Sequence, residues 1–222
     1  MSDTDNTAGD LPEGASRATS EQNRAVKQEP STEEQIRAVH VGELVPLVGS
    51  IQIVDYDPEW PRLFEREAER VQAVLGERVL LIEHVGSTSV PGLAAKPRID
   101  MLLVVADSAD ESAYVPAMEA AGYVLRIREP DWYEHRVFKG PDIDINLHVF
   151  SPGCLEIDRM LLFRDWLRSN AVERRLYERI KRELARKDWK YTQNYADAKT
   201  SVVEEILARA RGDDGEEAHE EE

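Results

Sequence analysis

Two apolar runs of strand length, RVLLIEHV at 78–85 and RIDMLLVVA at 98–106, are joined by GSTSVPGLAAKP at 86–97. Nothing else in the chain restricts the fold as much. The glycines and prolines of the joining segment exclude a helix, so the spacing predicts strand, structured loop, strand, with Asp100 on the second strand.

Such a loop has two readings. Gly86 allows close backbone approach to a ligand, Ser87 adds a hydroxyl, and the amides of Gly86, Ser87 and Thr88 can cradle a phosphate. Pro91 and Pro97 stiffen the segment, and Lys96 supplies a point charge suited to phosphate. Asp100 can then hold a divalent cation, which favours a few carboxylates plus substrate phosphates. The other reading is a plain turn between two buried strands.

Strand parity tests the choice, because residues two apart share a face. Arg98, Asp100 and Leu102 line up on one strand, and Asp142, Asp144, Asn146 and His148 line up on DIDINLHVF at 142–150. Ile143, Ile145, Leu147 and Val149 face the opposite way. If the two polar rows converge, Asp100 with Asp142 or Asp144 makes a carboxylate pair able to bind a metal. A solvent-facing edge strand gives the same pattern.

The remaining elements follow from period and punctuation. IQIVDY at 51–56 reads as a first short strand, and Asp57 with Pro58 opens a helix carrying Trp60, Leu63, Phe64, Val71, Val74 and Leu75 up to Gly76. A helix fits 111–121, and strands fit 123–129, 132–140 and 142–150 as antiparallel neighbours. Three helical stripes close the chain: Ile157, Met160, Leu161 and Leu167; Val172, Leu176, Ile180 and Leu184; then Tyr191, Tyr195, Ala198, Val202 and Ile206. The predicted class is α+β, a mixed sheet with packed helices and a helical C-terminal portion.

The ends differ from this middle. Residues 1–35 hold eight acids and three bases, and the final eleven residues hold seven acids and no lysine or arginine. Residues 1–40 and 212–222 therefore read as disordered segments flanking a folded domain at 41–211. Without the ends the net charge moves from −16 to about −4. An acidic chain without basic runs argues against a nucleic-acid partner. The longest apolar run is too short for a membrane helix, which leaves a cytoplasmic protein as the expectation. Cys154 stands alone, so neither an internal disulfide nor a cysteine metal cluster is expected.

IEHVGSTSVPGLAAKPRID, LHVF, FRDWLR and the late pair Tyr195 and Lys199 together resemble the GrpB-like proteins of the nucleotidyltransferase superfamily, over roughly residues 51–209. The resemblance implies a mixed sheet in which Gly86 and Ser87 grip a nucleoside triphosphate and strand carboxylates hold Mg²⁺ or Mn²⁺. Asp100 fills the first acidic place, but Leu102 stands in the second. Asp144 is the candidate for the third, and His148 can replace or supplement a metal ligand through its imidazole. Two functions follow: transfer of a nucleoside monophosphate from a nucleoside triphosphate to an acceptor, or a binding module without turnover. Fusion of some relatives to dephospho-CoA kinase implies a link with coenzyme A metabolism.

Lys199 and Tyr195, four apart, can present a cation and a phenol to a phosphate, although Tyr195 also belongs to an apolar stripe. Arg164 and Asp165 can be an inward polar pair or a surface ion pair. His84 can contact a ligand or be satisfied by the backbone, and Arg128 with Arg136 can bind an anionic acceptor.

Overall fold

The two apolar runs become β1 (Leu81–Val85) and β2 (Ile99–Val104), paired antiparallel with Val85 opposite Asp100. The structure, a computed structural model, describes residues 30–212. The sequence expectations for residues 1–29 and 213–222 fall outside those residues.

In chain order the elements are α1 (Glu33–Val39), α2 (Trp60–Leu75), β1, β2, α3 (Val115–Ala120), β3 (Val124–Glu129), β4 (His135–Lys139) and β5 (Ile145–Phe150). Four helices follow: α4 (Leu155–Ser169), α5 (Ala171–Ala185), α6 (Thr192–Asp197) and α7 (Thr200–Arg211). The sheet runs β1-β2-β5-β4-β3, and only β2 and β5 are parallel. This is the mixed α+β architecture expected.

β2 is an interior strand covered on both faces, which is why it reads as a nearly unbroken apolar run. Met101 and Leu103 meet α2 and α3 in the main core, with Val71, Met118, Phe138, Leu147 and Val149. Leu102 and Val104 point the other way, into a smaller cluster with Phe150 and Ile157 of α4. Each such fully buried side chain contributes roughly 1.5–3 kcal/mol. Asp100 is the only polar residue of β2.

Four sequence expectations are corrected. Ile51–Tyr56 forms no strand; Val54 makes a single bridge to Ala95 while Ile51 packs on Leu184, Ala185 and Tyr195. The helix at 111–121 breaks into a 3-10 turn (Glu111–Ala113) and α3, because Pro116 lacks the amide that a continuous helix requires. The last stripe divides into α6 and α7. The stripe on α5 is rotated: Val172 is exposed, and Tyr177, Lys181 and Leu184 point inward.

The folded region also starts before residue 41. Thr32 closes a capping box on α1 with Gln35, Ile36 is buried, and Ser31 N donates to Asp197 Oδ2 at 2.7 Å.

Candidate functional site

Gly86 ends β1 with φ +67°, a conformation that L side chains rarely adopt. A Cβ at this position would lie 2.5 Å from Asp100 Oδ2 and 2.9 Å from Asp100 Cβ. The glycine is thus needed both for the turn and for the space that the carboxylate fills. A 3-10 turn at Ser87–Ser89 follows, closed by Ser89 Oγ donating to Gly86 O at 2.6 Å.

Helix α4 grips this turn from the C-terminal side. Arg168 donates to Ser89 O through Nε at 3.1 Å and Nη2 at 3.0 Å, while Arg164 donates to His84 O at 3.1 Å and to Glu83 at 2.7 Å. Arg164 is buried and Asp165 is exposed, so their pair anchors this structural clamp at the surface. Thr88 is buried too. Its hydroxyl donates to Arg98 O at 3.2 Å and accepts from His84 Nε2 at 3.1 Å, which leaves only its amide available to a ligand. His84 is satisfied by this contact and stacks on Phe64.

The polar rows of β2 and β5 do converge, but the register changes the chemistry. Asp100 stands opposite Asn146, and Leu102 stands opposite His148. Asn146 Nδ2 donates to Asp100 Oδ1 at 2.7 Å and receives Lys139 Nζ on its own oxygen at 2.7 Å. Asp144 precedes the strand, where Arg98 Nε holds both its oxygens at 2.8 Å and Lys139 adds a contact at 3.2 Å. Asp142 turns to Arg70 of α2, on the other side of the sheet.

The expected metal group of Asp100, Asp144 and His148 is therefore not assembled, and among the described residues no three His, Cys, Asp or Glu side chains gather to hold an ion. Leu102, fully buried, seals the place of a second acid. These residues do not fit a two-metal centre.

Cations gather around Asp100 instead. Burial pushes Lys96 down to about 8, helped by Arg98 and Lys199, and burial with Arg98 also lowers Lys139. Lys181, almost wholly buried, donates to Ala94 O and is pushed well down by burial and by Lys199. Asp100 is the counter-ion of this group. Burial would raise its carboxyl, but His148, Asn146 and Arg98 outweigh that and hold it at about 2.

Lys199 and Tyr195 meet one helical turn apart: the Lys199 ammonium lies over the Tyr195 ring at 4.8 Å. The Tyr195 hydroxyl is buried with no partner among the described residues. Tyr177 lies beside Ser87, and burial keeps its phenol protonated. Tyr177 and Lys181 were not legible as site residues, because they occupy the inward face of a helix whose apolar stripe points elsewhere in sequence.

A second polar chain reaches the site from β4. Glu129 Oε2 lies 2.8 Å from His135 Nδ1, His135 Nε2 lies 3.0 Å from His148 Nδ1, and His148 Nε2 stands 3.9 Å from Asp100 Oδ1. Burial pushes His135 down to about 4. Arg128 and Arg136, candidates for an acceptor site, are both held by Glu111 at 2.6 Å. Cys154 is buried in the small core cluster.

Comparison with known proteins agrees with this geometry. The family model "GrpB protein" matches residues 50–209. The UPF0157 protein BH1888 of Halalkalibacterium halodurans is 64% identical over 82% of this chain and 93% of its own length. The crystal structure of the conserved protein GrpB from Enterococcus faecalis superposes with a TM-score of 0.65 at 32% identity, covering 73% of this chain and 98% of that one. A dephospho-CoA kinase of Mycolicibacterium paratuberculosis is 30% identical over 60% of this chain, a match confined to 39% of the kinase. Matched across its sheet, its glycine turn and its C-terminal helices, the chain belongs to the GrpB family.

Proposed function

We propose that this chain binds a phosphate-bearing small molecule, a nucleoside triphosphate or a coenzyme A-related nucleotide, in the crevice between the Gly86 turn and the Lys199 helix end. The observation that carries the reading is the gathering of Lys96, Arg98, Lys139 and Lys199 around two carboxylates, Asp100 and Asp144, the second of which Arg98 and Lys139 hold. Four cations against two acids leave a surplus of positive charge, on Lys96 and Lys199, where a polyphosphate needs it. The Ser87 hydroxyl and the turn amides supply donors beside them. The match within a dephospho-CoA kinase is the reason for including coenzyme A precursors among the ligands.

In this reading the lysines neutralise phosphate, as metal ions do in a two-metal transferase. Binding is then independent of Mg²⁺ and no nucleotidyl transfer follows. Transfer of a nucleoside monophosphate is the second reading, favoured by the ionised Asp100 next to a glycine turn.

One substitution separates them. Asp100→Asn removes one of the two negative charges among these cations, so tripolyphosphate binding in EDTA should stay equal or tighten. If Asp100 anchors a metal, the same change abolishes a Mg²⁺-dependent affinity. Calorimetry of wild type and variant with tripolyphosphate and ATP, with and without Mg²⁺, decides the matter. Absence of any thermal shift at millimolar ligand sinks both readings, since ligand at 100 times Kd stabilises by about 2.7 kcal/mol. Pyrophosphate release with an acceptor present reinstates the transferase.

A further inference from the structure

Helix α5 carries different chemistry on its two sides. Tyr177 and Lys181 point inward, whereas Arg175, Arg179, Arg182 and Arg186 recur at helical spacing and so form one line along the opposite side. With Glu178 and Glu183 these arginines line a shallow surface trough of about 380 Å³. Arg182 is engaged by Glu178 at 3.0 Å and by Asp55 at 2.6 Å. Arg175, Arg179 and Arg186 are exposed and form no ion pair among the described residues. Like charges one turn apart repel, so the line of arginines disfavours its own helix until an anion covers it.

The same chain contains such an anion. Residues 213–222 hold seven acids and no lysine or arginine. They follow Gly212, which caps α7 in the left-handed conformation at φ +76°. Just before that cap, Arg209 donates to both oxygens of Glu173 in the first turn of α5, through Nε at 2.6 Å and Nη2 at 2.9 Å. The acidic residues therefore start beside the N-terminal end of the helix that bears the arginines. Glu173 is on the far side of α5 from them, so the route includes one helix width, about 10–12 Å, and then about 16 Å from Arg175 to Arg186. A ten-residue segment reaches up to about 33 Å when extended, enough for both. Nucleic-acid phosphate would also suit the arginines, but a chain of net charge −16 repels it.

We propose that the arginine face of α5 is a docking surface for an acidic peptide, and that residues 213–222 of the same chain occupy it. The covalent link holds them near the face at an effective concentration of about millimolar, so a separate acidic partner has to displace them. The inference is independent of phosphate binding around Asp100.

The test places a nitroxide on the full chain through Ala218→Cys, Cys154 being buried, and reads the broadening of backbone amides by NMR. At about 0.01 M salt, where fields extend about 30 Å, the amides of Arg175, Arg179 and Arg186 should lose about half their intensity or more. At about 1 M salt, where fields extend about 3 Å, they should regain it. Reversing the three charges together, with Arg175→Glu, Arg179→Glu and Arg186→Glu, should abolish the low-salt broadening, and lysine at the same three positions should preserve it. Thermal melts check that both triple variants fold. Broadening centred on Lys96 and Lys199 instead, broadening that survives the charge reversal, or none at low salt overturns the proposal. Broadening of an isotope-labelled chain by a spin-labelled second chain overturns it too, because the contact then lies between molecules. Salt-dependent binding of a single-stranded oligonucleotide with no such broadening assigns the face to nucleic acid.

Discussion

At Gly86 the cost of one methyl group is direct. The added Cβ meets the Asp100 carboxylate at 2.5 Å in a backbone conformation already hostile to L residues. Gly86→Ala should lower stability by about 1–3 kcal/mol in urea melts without changing the slope, and should abolish tripolyphosphate binding. Combining it with Asp100→Ala should return part of the lost stability, since the second change removes the carboxylate atoms struck and leaves only the Cβ contact; a strictly additive pair contradicts the contact. Gly86, Ser87 and Asp100 were legible in sequence because their spacing is local, fixed by the turn itself. The partner of Asp100 was not. Asn146 rather than Asp144 faces it because residues 140–144 leave the sheet before β5 begins, a length that side-chain alternation does not encode.

Elements carry the acid sensitivity of the molecule. Burial pushes both His84, next to β1's end, and His135 on β4 to about 4, well below the ordinary value of 6.5. An unfolded chain therefore binds these protons first, so their stabilisation is full above pH 6.5 and is lost as pH falls toward 4. By linkage each contributes up to about 3 kcal/mol across that window. Thermal melts from pH 7 to pH 4 should show Tm falling steeply, and His135→Phe should flatten part of that slope. An unchanged slope in the variant removes His135 as a cause. Strands and long helices were readable from their apolar period, including both faces of β2. The exceptions have local and tertiary causes: Pro116 breaks the helix at 111–121, whereas tertiary contacts override local pattern where Ile51 is drawn onto α5 and α6 instead of a sheet edge.

For the molecule as a whole, the sheet divides labour between its faces. α2 and α3 close a dry core on one side, whereas the C-terminal helices bring Tyr177, Lys181, Tyr195 and Lys199 over the polar rows on the other. The N-terminal end of the described chain is tied into this second layer, since Ser31 bonds both Asp197 and Asn194 and Lys190 pairs with Glu33. A chain lacking residues 1–40 should be less stable than one lacking 1–29 by about 2–4 kcal/mol, because it exposes the Ile36 site and loses these bonds. Equal melts for the two truncations contradict that account. Composition placed the boundary at 41 because a seven-residue helix with one buried apolar side chain leaves almost no periodic signal.

The cation-lined crevice sits in a chain of net charge −16. On the proposed reading, an approaching anion is repelled while still distant and held once it arrives, so capture and retention respond oppositely to ionic strength. Added salt, which shortens the field to about 8 Å near physiological strength, should speed ligand entry and also speed escape. Stopped-flow records at several salt concentrations would then show both rates climbing together, in a protein whose overall charge alone would suggest that it shuns anions.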